Sequence, residues 1–260
     1  MTRSVANDSG IDTFAGLDPR SVALLFDVDG TLIDIGPSPF EVDVPGALKH
    51  SLAALYESTG GALALVSGRP IRDLDTLFAP LRLPAIGGHG AETRFVEDAP
   101  VARIPDLPEA LRRQLIDAIS PGSGLEYEDK GYSVALHYRK APKEAERLRR
   151  LLAAVRAAFP AEATELLLGK AMFELKRPGI NKGDAVRALM TRLPFAGRMP
   201  VFLGDDVTDE SVFEILPEIG GIGFGVGRHF PRLAGTFSSP ADVRRALQQL
   251  AHVGLARVNS

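Results

Sequence analysis

The two outer parts of the chain share one pattern, in which continuous apolar runs alternate with amphipathic helical segments. The runs at residues 21–26 (SVALLF) and 61–66 (GALALV) predict strands that are buried on both faces of a sheet. Leu48, Leu52 and Leu55 recur at helical spacing between them and predict a helix with one apolar face. The pattern returns after Asn181. This alternation predicts an α/β protein with a doubly wound parallel-sheet core.

The middle of the chain follows a different pattern. Two amphipathic helices are predicted over residues 106–119 and 141–159, and the segment between them alternates like a strand with one solvated face. Residues 164–179 predict a hairpin that turns near Gly169 and Lys170. We therefore predict an inserted α+β domain at 98–178, a core formed by 21–97 and 179–260, and a flexible leader over 1–20.

Composition and charge narrow the functional class. The formal net charge is -3, which gives no broad electrostatic footprint for nucleic acid. The chain has no cysteine, so disulfides and thiolate chemistry are excluded. No apolar run approaches membrane-spanning length, and the polar start does not have the pattern of a signal peptide. We expect a cytoplasmic protein without a nucleic-acid or membrane partner.

Candidate chemistry gathers where the apolar strands end. Because the ligands of open parallel sheets bind at the carboxyl ends of the strands, acidic residues that follow different strands are expected to converge there. Such a carboxylate cluster is unfavourable without a cation, and its oxygen-only ligands favour a hard ion, Mg²⁺ first. The predicted metal set follows two of the strands and consists of Asp27, Asp29, Asp205, Asp206 and Asp209.

The same strand ends carry groups suited to phosphate transfer. Ser67 supplies a hydroxyl donor, and Lys182 supplies a positive charge for a phosphate or for a carboxylate. An aspartate can act as a nucleophile and form an aspartyl-phosphate. A second aspartate two residues further on is suited to donate a proton to the leaving oxygen and then to accept one from water. The spacing of Asp27 and Asp29 therefore predicts two separate roles.

Four motifs in this order, DVDGT, SGR, NKGDA and GDD, resemble the haloacid dehalogenase-like (HAD-like) phosphatases, which have a Rossmannoid core. An insert between the second and third motifs resembles their C2-type cap domain. GDDVTDE, GGHGAE, EYEDKGYSVALHYR and FELKRPGINKG together are similar to the trehalose-6-phosphate phosphatase family. That resemblance implies hydrolysis of trehalose 6-phosphate and a functional link to a trehalose-6-phosphate synthase.

The resemblance also implies a role for each site residue. Asp27 would be the nucleophile and Asp29 the general acid/base. Asp27, the backbone carbonyl of Asp29 and Asp205 would bind Mg²⁺, with Asp206 and Asp209 nearby or in the layer behind the ligands. Ser67 and Lys182 would bind the phosphate. We add a further substrate-binding set that includes the three cap positions matching the family: Thr31, Gly68, Arg69, His89, Lys130, Arg139 and Glu174.

Several points stay open from the sequence. His89 lies between glycines and is expected to have a structural role or to lie at the mouth of the site. Val28 replaces a tyrosine that many relatives carry, and LKRP at 175–178 leaves open whether Lys176 or Arg177 reaches the sugar. The core motifs are equally compatible with a sucrose-phosphate or mannosyl-3-phosphoglycerate phosphatase. A catalytically silent sugar-binding regulatory protein is a third alternative.

Overall fold

A computed structural model of the chain describes residues 9–36, 42–169 and 171–258. It divides into two compact units, one formed by residues up to Ala102 and from Asn181 onward, the other by Arg103–Ile180. The elements before the insert are α1 (Ser9–Ala15), β1 (Val22–Phe26), α2 (Gly46–Ser58), β2 (Leu63–Val66), α3 (Ile71–Phe78), β3 (Ala85–Gly87), β4 (Glu92–Arg94) and β5 (Ala102–Arg103). The insert contains α4 (Glu109–Asp117), β6 (Glu126–Asp129), β7 (Ser133–His137), α5 (Ala145–Ala158), β8 (Glu165–Gly169) and β9 (Met172–Lys176). After it come α6 (Lys182–Leu189), β10 (Met199–Gly204), α7 (Glu210–Ile215), β11 (Ile222–Val226), β12 (Gly235–Phe237) and α8 (Pro240–Val258).

The first unit is built on an eight-stranded sheet with the order β12-β11-β10-β1-β2-β3-β4-β5. The pairs from β12 to β3 are parallel, and β4 runs antiparallel to β3. The chain winds from β1 through β2 to β3 on one side and from β10 through β11 to β12 on the other. The order therefore reverses between β1 and β10, which is the topological switch point where open α/β sheets bind ligands.

Alternate side chains of the buried strands pack against helices on opposite faces of this sheet. In β1, Leu24 and Phe26 join the cluster formed with α2, α3 and α8, whereas Ala23 and Leu25 join the cluster formed with α6 and α7. A strand that is apolar at every position is thus explained by burial on both faces. The predicted doubly wound core is confirmed.

The second unit has a four-stranded antiparallel sheet with the order β6-β7-β9-β8. One face of this sheet is apolar, and Val134 and Leu175 pack there against α4 and α5. The other face carries charged side chains, including Glu174, because side chains alternate along a strand. The predicted hairpin pairs β8 with β9, and Gly169 ends β8, while Lys170 lies outside the described residues.

From the sequence, two regions were expected to look different. Ser9–Ala15 forms a helix whose Phe14 ring is fully buried against Phe224 and Phe237, within the stretch 1–20 that was predicted to be a flexible leader and of which residues 1–8 lie outside the described residues. The isolated phenylalanine gave no periodic signal for this packing. The units meet in sequence at residues 102/103 and 180/181, whereas 97/98 and 178/179 were predicted. Within the described residues, no helix has the length and apolarity needed to cross a bilayer.

Candidate active site

The candidate site lies at the switch point between β1 and β10. The two strands pair in register from Val22 with Met199 to Phe26 with Leu203, so their carboxyl ends lie side by side. The backbone N–H of Asp27 continues this pairing and donates to the carbonyl of Leu203 at 2.9 Å. Asp27 and Asp205, which are far apart in sequence, are thereby brought to neighbouring strand ends.

Three carboxylates form a cluster at this point. Oxygen atoms of Asp27, Asp205 and Asp209 all lie within 4.8 Å of one another. Asp209 is fully buried and Asp27 is 5% exposed. Asp206 is exposed and is not part of the cluster, although the sequence placed it in the metal set. Buried like charges at this separation need compensation by positive charge.

Lys182 supplies part of that compensation. Its Nζ donates to Oδ1 of Asp27 and to Oδ1 of Asp209, each at 2.7 Å, and the side chain is 2% exposed. Lys182 opens α6, and the preceding Asn181 caps that helix by accepting from the N–H of Asp184 at 2.8 Å. The N-cap fixes the start of the helix and with it the position of the lysine.

The protonation equilibria of the cluster reflect its burial and its excess of negative charge. Burial, followed by the charge of Asp209, raises the pKa of Asp27 well above its ordinary value, although Lys182 opposes this change. Burial also raises the pKa of Asp205 to about 6, with the charge of Asp209 acting in the same direction. For Lys182, burial alone lowers the pKa, but the charges of Asp27 and Asp209 outweigh it and raise the pKa above the ordinary value.

Asp209 organises the GDD loop as well as holding Lys182. Its Oδ2 accepts from the backbone N–H of Asp205 at 2.9 Å and of Asp206 at 3.0 Å. With Lys182 on Oδ1 and two N–H donors on Oδ2, little acceptor capacity is left on this carboxylate. These contacts suit Asp209 to a supporting position behind the ligands, and that role stays a prediction.

Gly30 and Thr31 hold Asp205 from the other side. Gly30 has φ +85°, and a Cβ there would lie 2.2 Å from Oδ2 of Asp205, so this position needs glycine for two reasons. The buried Thr31 hydroxyl donates to Oδ1 of Asp205 at 3.1 Å. Thr31, predicted to bind substrate, therefore contacts a carboxylate of the cluster in this structure.

Asp29 is bound by a different positively charged side chain from the one that binds Asp27. Arg69 donates from Nε to Oδ2 of Asp29 and from Nη2 to Oδ1, each at 2.6 Å. Ser67 is 1% exposed, and its hydroxyl accepts from the backbone N–H of Arg69 at 3.1 Å. The two aspartates of DVDGT are thus held by Lys182 and Arg69 respectively, which helps to explain how two like charges are tolerated at one strand end.

The GGHGAE segment supports the loop that carries Ser67 and Arg69. The N–H of His89 donates to the carbonyl of Ser67 at 3.0 Å, and the His89 ring lies so close to Gly68 that a Cβ there would be 2.4 Å from it. His89 has φ 55°, a strained conformation for a residue other than glycine. Glu92 accepts from the N–H of Ile71 at 2.7 Å and so satisfies a free donor at the start of α3.

Glu92 was missed by sequence reasoning, although GGHGAE contains it. The available signal was an acidic residue three positions after His89 in the same motif. These contacts favour the structural role for His89 over a catalytic one, while the substrate-binding roles of Gly68 and Arg69 stay predictions.

The insert brings two of its three predicted sugar-binding residues together. Glu174 is 2% exposed; its Oε1 accepts from the Ser133 hydroxyl at 2.6 Å and lies 3.4 Å from Nζ of Lys130. Arg139 is exposed.

The two basic residues of LKRP bind backbone carbonyls of the insert. Lys176 donates to Ile180 at 2.5 Å, and Arg177 donates to Pro105 at 2.9 Å and to Asp106 at 2.6 Å. Both side chains therefore bind the backbone of the insert, which gives each of them a structural role.

Comparison with known proteins agrees with this architecture. The profile of the family described as Trehalose-phosphatase matches residues 25–236. The chain is 43% identical over 238 residues to a trehalose-6-phosphate phosphatase of Escherichia coli, covering 87% of this chain and 88% of that protein. It is 40% identical over 234 residues to a probable trehalose-phosphate phosphatase of Sinorhizobium fredii, covering 88% and 87%.

A solved structure shows the same fold. The C-terminal domain of the C. albicans trehalose-6-phosphate phosphatase superposes with a TM-score of 0.76 at 20% identity, covering 97% of this chain and 99% of that one. At that identity the likeness concerns the fold alone. The family profile, in contrast, extends from β1 to β12 and includes all four motifs of the site. The chain therefore belongs to the trehalose-phosphatase family.

Proposed function

We propose that this protein is a Mg²⁺-dependent phosphatase that hydrolyses trehalose 6-phosphate to trehalose and phosphate. The observation that carries the chemistry is the buried cluster in which Lys182 bridges Asp27 and Asp209 beside Asp205. The substrate is supported by the relatives from Escherichia coli and Sinorhizobium fredii, whose names state it. The proposal implies that a trehalose-6-phosphate synthase supplies the substrate; a cytoplasmic location stays a prediction.

The cluster fits a divalent metal ion. Its carboxylates are Asp27, Asp205 and Asp209, and Lys182 is the ammonium group paired with them, so two negative charges remain when all are ionised. The donors are all oxygen atoms, which suits Mg²⁺. Asp27, Asp205 and the carbonyl of Asp29 would hold the ion, with Asp209 supporting them. When bound, the ion supplies positive charge that attracts phosphate oxygens and favours the ionised form of Asp27.

The first step transfers the phosphoryl group to Asp27. A carboxylate oxygen of Asp27 bonds to phosphorus while the bond from phosphorus to the sugar oxygen breaks. Asp29 donates a proton to the departing sugar oxygen, so the sugar leaves as a neutral alcohol. Lys182 contacts Asp27 at 2.7 Å and is therefore suited to orient the nucleophile and to neutralise charge on the phosphoryl oxygens.

The second step regenerates the carboxylate. Asp29, now ionised, accepts a proton from a water molecule whose oxygen bonds to phosphorus. The bond between phosphorus and Asp27 then breaks, and inorganic phosphate is released. Ser67, at the end of β2 with its hydroxyl beside the N–H of Arg69, is proposed to donate to a phosphate oxygen. Lys130, Arg139 and Glu174 of the insert are proposed to bind the sugar hydroxyls.

The decisive experiment measures phosphate release from a panel of trehalose 6-phosphate, sucrose 6-phosphate, glucose 6-phosphate and mannosyl-3-phosphoglycerate in the presence of Mg²⁺. Asp27→Asn removes the nucleophile with little change in volume, and EDTA removes the ion. An Asp18→Asn variant is the matched control, because Asp18 is a surface residue paired with Arg20. We expect trehalose 6-phosphate to be strongly preferred, with turnover abolished by Asp27→Asn and by EDTA but retained in Asp18→Asn.

The possible outcomes separate the parts of the proposal. Preference for another sugar phosphate would reject the substrate but keep the chemistry. Full activity in Asp27→Asn would reject the covalent mechanism. Failure to hydrolyse any phosphomonoester would favour a silent sugar-binding protein.

A further inference from the structure

We propose that Arg69 is a positioning residue for Asp29: it holds the carboxylate of the proton-transfer residue in one fixed plane and acts on catalysis through that residue. The inference deepens the proposed function and rests on it for the role of Asp29. It reassigns Arg69, which the sequence placed among the substrate-binding residues.

The contact between the two side chains is bidentate. Nε of Arg69 donates to Oδ2 of Asp29 and Nη2 donates to Oδ1, each at 2.6 Å, which is the parallel geometry of a guanidinium on a carboxylate. The Arg69 side chain is 13% exposed and that of Asp29 is 34% exposed. Both carboxylate oxygens therefore accept hydrogen bonds from Arg69, and rotation of the carboxylate about the Cβ–Cγ bond of Asp29 would break both of them.

The backbone of Arg69 is itself held firmly. Its N–H donates to the Ser67 hydroxyl at 3.1 Å, and its carbonyl accepts from the N–H of Gly88 at 2.9 Å. The same carbonyl lies 2.9 Å from the position of a Cβ on Gly87, so the two chain segments are in close contact. The guanidinium therefore projects from an anchored loop, which is a requirement for a residue that sets the geometry of another.

The bidentate contact with Arg69 leaves Asp29 able to exchange a proton. An ionised carboxylate has about four lone-pair directions, and two N–H donors occupy two of them. The remaining two lie in the plane that Arg69 fixes, so their direction toward a reacting oxygen is fixed as well. A freely rotating carboxylate would spend most of its time misdirected, and proton transfer depends on such alignment.

A double-mutant cycle tests this inference. Steady-state phosphate release is measured for the wild-type protein, Arg69→Met, Asp29→Ala and the combined variant, with the phosphomonoester that the wild-type protein hydrolyses best. We expect Arg69→Met to lower kcat by roughly 10²-fold, because misalignment of about 1 Å has effects of that size. KM should change little, and the loss caused by Arg69→Met should nearly vanish when Asp29 is already alanine.

Two additional measurements separate positioning from phosphate binding and from charge. Inhibition by inorganic phosphate should be the same in Arg69→Met as in the wild-type protein. Arg69→Lys keeps the positive charge but lacks the planar guanidinium that makes the bidentate contact, so its kcat should stay close to that of Arg69→Met. Arg72→Met, on the exposed surface of the neighbouring α3, is the matched control and should keep full activity. Thermal unfolding of every variant shows whether the fold is retained.

Several results would overturn the inference. Additive losses in the combined variant, or much weaker inhibition by inorganic phosphate in Arg69→Met, would mean that Arg69 contacts substrate directly. Wild-type kcat in Arg69→Lys would mean that charge suffices. Because the cycle uses whichever ester the wild-type protein hydrolyses, inactivity toward trehalose 6-phosphate alone would reject the proposed substrate and leave the cycle to decide on Arg69. If Arg69→Met fails to fold, the kcat of Arg69→Lys and its inhibition by inorganic phosphate decide.

Discussion

Replacement of Gly30 by alanine should disturb the carboxylate cluster of the site more than it damages the fold. Gly30 has φ +85°, where an alanine costs about 1–2 kcal/mol. A Cβ at this position would lie 2.2 Å from Oδ2 of Asp205, whereas ordinary contacts begin at 3.4 Å. The carboxylate of Asp205 therefore has to move by about 1 Å, and a displacement of that size costs on the order of 10²-fold in rate.

The matched control is Gly197→Ala. Gly197 has φ +80°, but a Cβ there would meet nothing within 4 Å. Both variants should lose about 1–2 kcal/mol of unfolding free energy in urea, since both place alanine in a left-handed conformation. Only Gly30→Ala should lose about 10²-fold in kcat/KM and require more Mg²⁺ for half-maximal activity. Equal activity and equal Mg²⁺ dependence of the two variants would refute the argument that Gly30 provides space for Asp205.

Three further predictions concern the helix before β1, the lysine of the cluster and the insert. Phe14→Ala should lower the unfolding free energy by about 3–5 kcal/mol, because the ring is fully buried. Activity at low temperature should be retained. An unfolding free energy in urea equal to that of the wild-type protein would instead support the predicted flexible leader. Lys182→Met leaves the buried carboxylates of Asp27 and Asp209 without their ammonium partner, so the unfolding free energy in urea should fall by about 3–5 kcal/mol. Phosphate release should become undetectable in this variant, and measurable turnover would contradict the role of Lys182. Glu174→Gln should raise KM for trehalose 6-phosphate, while kcat for an aryl phosphate without a sugar stays unchanged. An unchanged KM for trehalose 6-phosphate would exclude Glu174 from sugar binding.

The sheet core was predictable because its central strands, such as β1 and β2, are apolar at every position. Burial on both faces leaves few architectures other than a parallel sheet covered by helices, and β1, β2 and β10 fit that expectation. The motifs then had to lie at the carboxyl ends of these strands. The α1 helix was not predictable in this way, because its burial depends on one ring, Phe14, packing between two distant phenylalanines.

The pairing of charges within the site was only partly predictable. The sequence indicated that Lys182 would contact a phosphate or a carboxylate, and the structure places it on Asp27 and Asp209. The sequence provided no reason to pair Arg69 with Asp29, because forty residues separate them. Asp29 was assigned to the metal set and Arg69 to the substrate-binding set, so neither was expected to bind the other. Side-chain pairing depends on which loops are neighbours, and that is a property of the sheet order.

By itself, the sequence determined the α/β class, the presence of an α+β insert and the residue types gathered at the strand ends. These follow from periodicity and from the order of motifs, which are local properties of the chain. Only the tertiary structure decided that Asp206 lies outside the cluster, that Asp209 is fully buried and that Arg69 holds Asp29. Such assignments depend on distances between segments far apart in sequence, and strand order and packing set those distances.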